Sequence, residues 1–335
     1  MKIFFEPLNS EWARNWGVAK KWEKVLSEWS LNDDGHSVTD NRNIADVVIY
    51  TQTEAIGLSS VREVFRPLSN ADVQSFALDW GDHPTGRLSG FYSALDVRMF
   101  DPNRHRTIHY PIELNDLVEE FPRDNARYNF GFLGGENASV RRRMYEQFKP
   151  RERKDNSFIK AQAAHWPHIL TGSDMTPMKT EYLEFLSATK FILCPRGFGF
   201  GSARMFEAMK AGRVPVIISD GYVLPADIDW SCCSIRIGER EIDKIPEIIE
   251  RHMEDWPKMA ANARLTWEEN FSNRKFLRYL VKNIEAMRET IPNINYGKQI
   301  AHFFRIGTER AKLSCRAKLG QMKQGLKEFL RVIPA

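Results

Sequence analysis

The sequence predicts an α/β protein of two Rossmann-like domains that face a central cleft. Its 335 residues are enough for about two domains. The first fifty residues follow a strand, helix, strand pattern, and the stretch from 182 to 253 alternates regularly between short apolar runs and helical spacing. Such alternation is typical of parallel sheets that carry helices on both faces.

The first domain is predicted over residues 1–150. Ile3 to Phe5 predict its opening strand, and tryptophans with aliphatic residues at spacings of three and four predict a helix from Trp12 to Trp29. The continuous apolar run 47–50 then indicates a strand buried on both faces of a parallel sheet. Strand, helix and strand in this order open a parallel α/β unit.

Two further parts of this domain bear on the cleft. Turn-forming residues are frequent from 58 to 111, where we expect loops that line the cleft. Residues 128–133 predict a strand that ends in Gly134 and Gly135, and a helix follows over 139–148. A strand that ends in glycines before a helix brings backbone amides to the mouth of a sheet.

The second domain is predicted over residues 151–292, with its last helical stretch returning to brace the first domain. Its elements alternate between helix and strand, as expected of a second parallel sheet. They are predicted as helix 182–189, strand 191–193, helix 203–211, strand 214–218, helix 242–253 and a helical stretch over 256–290.

A basic amphipathic tail is predicted at 293–335. From Lys298 onward it carries nine basic residues against two glutamates, although the net charge of the whole chain is only +4. Apolar residues at helical spacing between Leu319 and Leu330 leave a basic opposite face. Two interpretations stand side by side: the tail lies on an anionic membrane surface through 298–335, or it packs on its own domain.

The composition excludes several classes of protein. Hydrophobic residues at 42% and charged residues at 27% exclude a wholly disordered chain. The four cysteines lack the spacing of zinc or redox pairs, which favours a reducing compartment. Glu6 and Pro7 end the first apolar run too early for a signal peptide, and no stretch reaches the ~18 apolar residues of a membrane-spanning helix. We therefore expect a cytoplasmic protein, or one peripheral on the cytoplasmic face of the membrane.

The most informative segment runs from Phe191 to Asp229. A buried strand delivers Arg196 to its carboxyl end, which is where open α/β sheets bind ligands. Three glycines between 197 and 201 allow a tight loop with exposed amides, and Ser202 suits the N-cap of the following helix. The N-terminus of a helix favours a diphosphate, because its amide groups are unpaired and carry partial positive charge.

Two side chains of the helix complete a nucleotide site. Arg204 can add bidentate contacts to phosphate, and Glu207, three residues later on nearly the same face, can accept hydrogen bonds from ribose hydroxyls. Each feature alone is more often an ordinary loop or surface pair, but their combination favours ligand binding. The glycine spacing matches neither the dinucleotide-binding fingerprint nor a Walker A loop. The residues predicted to hold the ligand are Arg196, Gly197, Gly199, Gly201, Ser202, Arg204 and Glu207.

Short motifs within residues 180–240 form one recognisable pattern. They are Cys194-Pro195-Arg196-Gly197, Ser202, Arg204, Phe206-Glu207-Ala208, Ala211-Gly212, Val214-Pro215-Val216, Ser219-Asp220, Leu224-Pro225 and Asp229-Trp230. This pattern resembles the donor-binding half of the exostosin-like glycosyltransferases, and weaker matches lie at 79–84 and 129–135. Fucosyltransferases with a guanosine donor share the Ala-Gly-x-x-Pro-Val part, whereas the Pro-Arg-Gly at 195–197 favours the exostosin-like side.

The resemblance implies a GT-B fold and transfer of a sugar from a nucleotide-diphosphate sugar to a glycan acceptor, with inversion and without an essential metal. It places Arg196 at the diphosphate and Glu207 at the ribose or sugar of the donor. We expect no cofactor besides the donor itself, a UDP-sugar in the first instance, and a glycan or lipid-linked glycan as acceptor. This activity would serve cell-surface polysaccharide synthesis.

Other functions stay open on the sequence alone. One is a fucosyltransferase-like enzyme with a guanosine donor, and another is a catalytically silent module that binds a glycan or nucleotide. Nucleic-acid binding through the basic tail is a third, but no recognition fold accompanies the tail, and we expect no nucleic-acid partner.

An inverting transfer needs a base within hydrogen-bond reach of the acceptor hydroxyl. The cleft loops of the first domain offer Asp82 first, then His83, with Asp79 beside them, although capping a turn is the more ordinary role for such residues. A second set near the cleft comprises His165, Trp166 and His168.

Two charged motifs are interpreted as structural. The run Arg141-Arg142-Arg143 follows the glycine turn at 134–135 and could approach a phosphate there, but such a run on a helix is usually a solvated face. Asp227-Ile228-Asp229 has the Asp-x-Asp form that metal-dependent GT-A glycosyltransferases use, yet here it forms a turn before Trp230. We therefore expect no metal site.

Overall fold

The structure is a computed structural model that describes residues 1–6, 18–30, 35–51, 74–82, 84, 86, 88–111, 117–162 and 176–290. Within these ranges the chain forms two α/β units, each built on its own parallel sheet. Several predictions lie outside the described residues: the start of the first helix at Trp12, the tail at 293–335, and the side chains of His83, His165, Trp166 and His168.

The first sheet comes from the first third of the chain. Its described strands are Lys2–Glu6 (β1), Ser37–Thr39 (β2), Val47–Thr51 (β3), Gln74–Asp79 (β4), Gly90–Tyr92 (β5) and His105–Thr107 (β6). They pair in the order β2-β1-β3-β4-β5-β6, and every pair is parallel. The carboxyl ends of all six strands therefore lie along one edge.

The second sheet has five described strands, also parallel throughout. They are Tyr128–Gly134 (β7), Ser157–Ala161 (β8), Thr189–Pro195 (β9), Val214–Ile218 (β10) and Ile235–Ile237 (β11). Their order is β11-β10-β9-β7-β8, so the chain first adds β8 on one side of β7 and then adds β9 on the other. The gap between the ends of β7 and β9 is the topological switch point, where sheets of this type bind ligands.

Helices cover both sheets. The described α-helices are Val18–Ser30 (α1), Ser139–Phe148 (α2), Glu152–Asp155 (α3), Thr176–Ala188 (α4), Ala203–Lys210 (α5), Ile245–Arg251 (α6), Trp256–Asn270 (α7) and Asn273–Thr290 (α8). Short 3₁₀ turns lie at Arg42–Ile44, Arg123–Asn125, Lys149–Arg151, Trp230–Cys232 and Ile242–Lys244.

The boundary predicted at residue 150 between the two domains is wrong. Strand β7 pairs with β8 and β9, so the second unit already begins near Tyr128. The charged stretch 149–154, which resembles a linker in sequence, forms a 3₁₀ turn and the short helix α3 within that unit. Its charge reflects an exposed surface rather than a connection between domains.

Strand β9 illustrates why these segments become buried parallel strands. Phe191 and Leu193 pack into the core on one face of the sheet, and Ile192 and Cys194 pack into the core on the other. All four side chains are at most 1% exposed. Burial of each large apolar side chain contributes roughly 1.5–3 kcal/mol, so the strand is held from both faces.

The last described helix returns to the first unit, as predicted. Phe276 and Leu280 of α8 lie in the same buried cluster as Ile3, Trp29 and Ile49. The rings of Trp29 and Phe276 are 4.8 Å apart. The predicted helical stretch 256–290 is thus two helices, α7 on the second unit and α8 on the first.

Among the residues that the structure describes, no helix combines the length and the apolar character needed to span a bilayer.

Candidate functional site

The carboxyl edges of the two sheets meet. An antiparallel bridge joins Asp96 to Tyr222, and the backbone N–H of Val97 donates to the carbonyl of Gly221 at 2.9 Å. These contacts connect the loop after β5 with the loop after β10. The two edges at which parallel sheets bind ligands therefore face a common interface.

The glycine loop after β9 lies against the first unit. A Cβ atom at Gly199 would collide with the backbone oxygen of Asp82, and one at Gly201 would collide with that of Ser93 and lie 2.8 Å from the hydroxyl of Tyr110. The sequence predicts these glycines as a loop that exposes amides to a ligand. In the structure, these glycines instead allow the loop after β9 to approach the backbone of the first unit closely.

Arg141 of α2 lies at the switch point. Its Nε donates to the carbonyl of Arg196 at 2.9 Å, Nη2 donates to that of Pro195 at 3.2 Å, and Nη1 donates to that of Gly135 at 3.3 Å. One guanidinium thus joins the residues that follow β7 to the end of β9. The side chain is only 9% exposed.

Arg141 is a buried charge among other charges. Burial, and then the neighbouring guanidinium of Arg204, lower its pKa to about 9, while the carboxylate of Asp82 acts in the opposite direction. The guanidinium remains protonated at neutral pH. The expectation of a solvated face is therefore wrong for Arg141, although Arg142 and Arg143 are exposed.

Arg204 and Glu207 are brought to the same edge by α5. The Nη2 of Arg204 donates to the carbonyl of Leu133 at 2.8 Å, and its guanidinium lies 4.9 Å from the ring centre of Phe132. Its Nε is buried and has no hydrogen-bond partner within the described part of the chain. Glu207 accepts a hydrogen bond of 2.6 Å from the hydroxyl of Tyr182.

The surroundings of Cys194 show that both charges reach the end of β9. Burial raises the pKa of this thiol to about 12, with Arg204 lowering it and Glu207 raising it. The pKa of the Tyr182 hydroxyl is raised well above its usual range by burial and by Glu207. Tyr182 is therefore a neutral hydrogen-bond donor that holds the Glu207 carboxylate in place.

Arg196 is placed differently from Arg141. Its Nε forms an ion pair with Oε1 of Glu239 at 2.7 Å, and the two side chains are 24% and 14% exposed. The backbone N–H of Glu239 in turn donates to the carboxylate of Asp220 at 2.9 Å. The residue predicted to meet a diphosphate is thus already paired with a carboxylate, which the sequence analysis did not identify.

The other predicted ligand residues lie nearby. Ser202 occupies the N-cap of α5, but its side chain forms no capping hydrogen bond. A Cβ atom at Gly197 would lie 3.2 Å from Nη2 of Arg141, and one at Gly134 would collide with the guanidinium of Arg204. Both glycines leave room for guanidinium groups.

The predicted base candidates separate clearly. Asp79 is fully buried and accepts a hydrogen bond of 2.9 Å from the N–H of Gly81, so it caps a turn and has no exposed surface toward an acceptor. Asp82 is exposed, and its carboxylate acts on Arg141 and on Tyr110, whose pKa is raised well above its usual range first by burial and then by Asp82. Asp82 therefore lies at the interface of the two edges.

The Asp-x-Asp motif has other partners. Asp227 forms an ion pair of 3.0 Å with Lys282 of α8, and Asp229 accepts a hydrogen bond of 3.1 Å from the N–H of Ser231. Among the residues that the structure describes, no group of three His, Cys, Asp or Glu side chains has the arrangement of a metal site.

Sequence analysis missed Glu239 and Gln162, and it did not separate Arg141 from the rest of its charged run. Gln162 follows β8 at the same edge, is 9% exposed, and has no partner for either amide atom within the described residues. A signal for Arg141 was present in the sequence: Val140, Met144 and Phe148 are apolar at spacings of four, and Arg141 follows the first of them. Arg142 and Arg143 fall out of this phase.

Two parallel α/β units with facing carboxyl edges are the architecture of the GT-B glycosyltransferases. Residues 99–252 match the family model described as the Exostosin GT47 domain. Over that segment the chain is exostosin-like, as the sequence predicts.

Curated relatives agree over part of the chain. Exostosin-1 homolog of Caenorhabditis elegans is 44% identical over 71 residues, which are 21% of this chain and 19% of the relative. Exostosin-1 of Bos taurus is 35% identical over 98 residues, which are 28% of this chain and 13% of the relative. The matched part thus spans less than a fifth of the length of these relatives.

Solved structures with a related architecture include a glycosyltransferase from Rickettsia africae ESF-5, with a TM-score of 0.43, 10% identity, and 88% of this chain and 99% of that chain covered. Another is Anabaena Alr3699/HepE in complex with UDP and glucose, with a TM-score of 0.42, 12% identity, and 85% and 100% covered. Likenesses of this size carry no functional inference for this chain.

Proposed function

We propose that this protein transfers a sugar from a nucleotide-diphosphate sugar to a glycan acceptor, with inversion at the sugar. The observation that carries the proposal is the presence of both Arg204 and Glu207 on α5 at the carboxyl edge of the second sheet. A buried guanidinium with an unpartnered Nε suits a phosphate, and a carboxylate held by Tyr182 suits ribose hydroxyls. The exostosin match over 99–252 includes both residues.

Asp82 is the base that we propose for this transfer. It belongs to the first unit, is exposed at the interface, and lies within electrostatic reach of Arg141. A base there would meet an acceptor that approaches from the first unit while the donor lies on the second. The Asp82→Asn variant should keep nucleotide binding and lose about 100-fold or more in turnover, the usual contribution of general base catalysis.

The donor proposed first is a UDP-sugar, used without an essential metal. A thermal-shift panel of UDP, GDP, ADP, CDP and TDP, each with and without EDTA, tests this choice. A ligand at about 100 times its Kd should raise the free energy of unfolding by about 2.7 kcal/mol. We expect stabilisation by UDP that EDTA leaves unchanged.

The matched variants are Glu207→Gln and Glu184→Gln. Glu184 is exposed on the helix that also carries Tyr182, so its change leaves the site intact. Only Glu207→Gln should reduce the shift produced by UDP, measured from the unfolding temperature of each free variant. The donor assignment is wrong if no diphosphate stabilises the wild type, or if binding requires a metal and is unchanged in Glu207→Gln.

Two alternatives have distinct outcomes when the panel is combined with an assay of sugar-nucleotide turnover. Stabilisation by GDP alone would favour the fucosyltransferase-like enzyme. Binding of a diphosphate with no turnover of any nucleotide sugar would favour a silent glycan- or nucleotide-binding module.

We also propose that the protein is cytoplasmic and that its acceptor is a cell-surface polysaccharide or a lipid-linked glycan. We further propose that the tail 298–335 binds an anionic membrane surface. The basic and apolar residues of the tail support this proposal. Flotation with phosphatidylglycerol vesicles tests it, since the full chain should float at low salt and a chain ended at Pro292 should not.

A further inference from the structure

We infer that Arg141, rather than Arg196, is the main side chain that binds the donor diphosphate, at the switch point between β7 and β9. The inference rests on the proposed function, because it names a residue of that same site. The whole run 141–143 was expected to be a solvated face, and the inference gives a ligand-binding role to Arg141 alone of the three.

The guanidinium of Arg141 is fixed at the switch point. Its three hydrogen bonds to the carbonyls of Gly135, Pro195 and Arg196 span the two strands that part at the switch point. An arginine has five N–H donors, so two remain after these contacts. The side chain is held in a single orientation with spare donors at the edge where a ligand of this fold binds.

The positive charges of Arg141 and Arg204 also favour an anion. Among the described residues, the guanidinium of Arg204 lowers the pKa of Arg141 more than the carboxylate of Asp82 raises it. Two neighbouring buried charges of the same sign are costly when nearby carboxylates do not offset them. A bound anion with two or more negative charges relieves this cost, which a neutral ligand cannot do.

The backbone around Arg141 and Arg204 adds to this preference. Arg141 lies in the first turn of α2, whose N-cap residue Ala138 contributes no side-chain cap. The amide groups of this turn therefore add partial positive charge beside the two guanidinium groups. Gly134 and Gly197 keep the space around these groups open, since a Cβ atom at either position would press on one of them.

Arg196 differs on each of these points. It already has a carboxylate partner in Glu239 at 2.7 Å, and that partner is itself fixed next to Asp220. Phosphate binding by Arg196 would require this ion pair to break. Within the described part of the chain, neither Arg141 nor Arg204 has an ion pair that would have to break.

The experiment compares the affinities of uridine, UMP and UDP for the wild type and for Arg141→Met, Arg141→Lys, Arg196→Met and Arg142→Met, by calorimetry. Arg142→Met is the matched control, since Arg142 is exposed and adjacent on the same helix. We expect Arg141→Met to weaken UDP roughly 10- to 100-fold, as for a lost charge-assisted hydrogen bond, with uridine almost unchanged. Arg142→Met should change UDP affinity less than about two-fold, since it removes only an exposed charge.

The Arg141→Lys variant covers the case in which Arg141→Met does not fold. It keeps the charge and loses the planar fork, so it should weaken UDP by an intermediate factor and leave uridine unchanged. Equal UDP affinity in the wild type and in the Arg141 variants that fold would overturn the inference, as would a greater loss in Arg196→Met. Failure of the wild type to bind any diphosphate would instead overturn the proposed function, and the inference with it.

Discussion

The two sheets bring different chemistry to the interface that they share. The edge of the second sheet carries fixed charged side chains, with Arg141, Arg204 and Glu207 near the switch point and the Arg196–Glu239 pair beside them. The described part of the first sheet's edge contributes backbone oxygens, the neutral ring of His109 and the exposed carboxylate of Asp82. The second unit thus concentrates fixed charge at this interface, whereas the first unit meets it mainly with backbone oxygens and a buried neutral ring.

The largest effect on stability is expected at Phe276, in the helix α8 that follows the second unit in sequence and packs on the first. This residue follows the second unit in sequence but packs fully buried in the core of the first, 4.8 Å from Trp29 and 4.3 Å from His109 between ring centres. Phe276→Ala should lower the free energy of unfolding by about 3–5 kcal/mol, as for other buried aromatic truncations. Urea denaturation followed by circular dichroism measures this.

Leu265→Ala on α7 is the control for that change, since Leu265 is 51% exposed. It should alter the free energy of unfolding by no more than about 0.5 kcal/mol. A loss at Phe276 as small as this would show that α8 does not brace the first unit.

The next effect concerns the neutral ring at the first edge. His109 is surrounded by Phe206, Phe271 and Phe276, and burial lowers its pKa to about 3. The unfolded chain takes up this proton near pH 6.5, so stability from the neutral ring is complete above that pH and falls as the pH drops toward 3. Between pH 7 and 4.5 the loss should be roughly 2–3 kcal/mol at 1.36 kcal/mol per pH unit.

Comparison of His109→Phe with the wild type isolates this contribution. Urea denaturation at pH 7 and 4.5 should show a smaller difference between the two pH values in the variant, by about the same 2–3 kcal/mol. His252→Asn, a change at a partly exposed histidine of the second unit, should leave the wild-type difference in place. Identical pH dependence in His109→Phe and the wild type would mean that the ring is accessible to protons when folded.

The smallest of the three effects concerns the closure of the interface. Gly199→Ala and Gly201→Ala place a methyl group against the backbone oxygens of Asp82 and Ser93, and each should cost about 1–3 kcal/mol. Gly135→Ala is the matched control, since its new methyl group would lie 3.7 Å from the oxygen of Gln162, an ordinary contact. Thermal unfolding should separate the first two variants from the third. Three equal unfolding temperatures would show that the units do not close at these glycines.

The second unit could be predicted closely from the sequence. The helix 139–148 and the strand 214–218 have the predicted bounds, because apolar residues repeat at a constant spacing or form an unbroken run in them. In the first unit, the strands β4, β5 and β6 fall in the stretch predicted only as loops. Strands β5 and β6 have three residues each, which are too few for any period to show.

The candidate site could be predicted only where its chemistry is local in sequence. Arg204 and Glu207 share one helix face, so their proximity follows from their spacing. The pairing of Arg196 with Glu239 joins residues 43 positions apart, and the approach of Gly199 to Asp82 joins two units. Such contacts depend on how the sheets are placed, which no local pattern encodes.

The return of α8 to the first unit also fixes the order in which the molecule can be completed on the ribosome. The core of the first unit lacks Phe276, Leu280 and Ile284 until those residues have been synthesised. The second unit, with its strands ending at Ile237 and its covering helices at Asn270, has all of its parts by then. Nascent chains usually fold from the N-terminus onward. In this protein the unit that is translated first therefore cannot complete its core until the second unit has been synthesised.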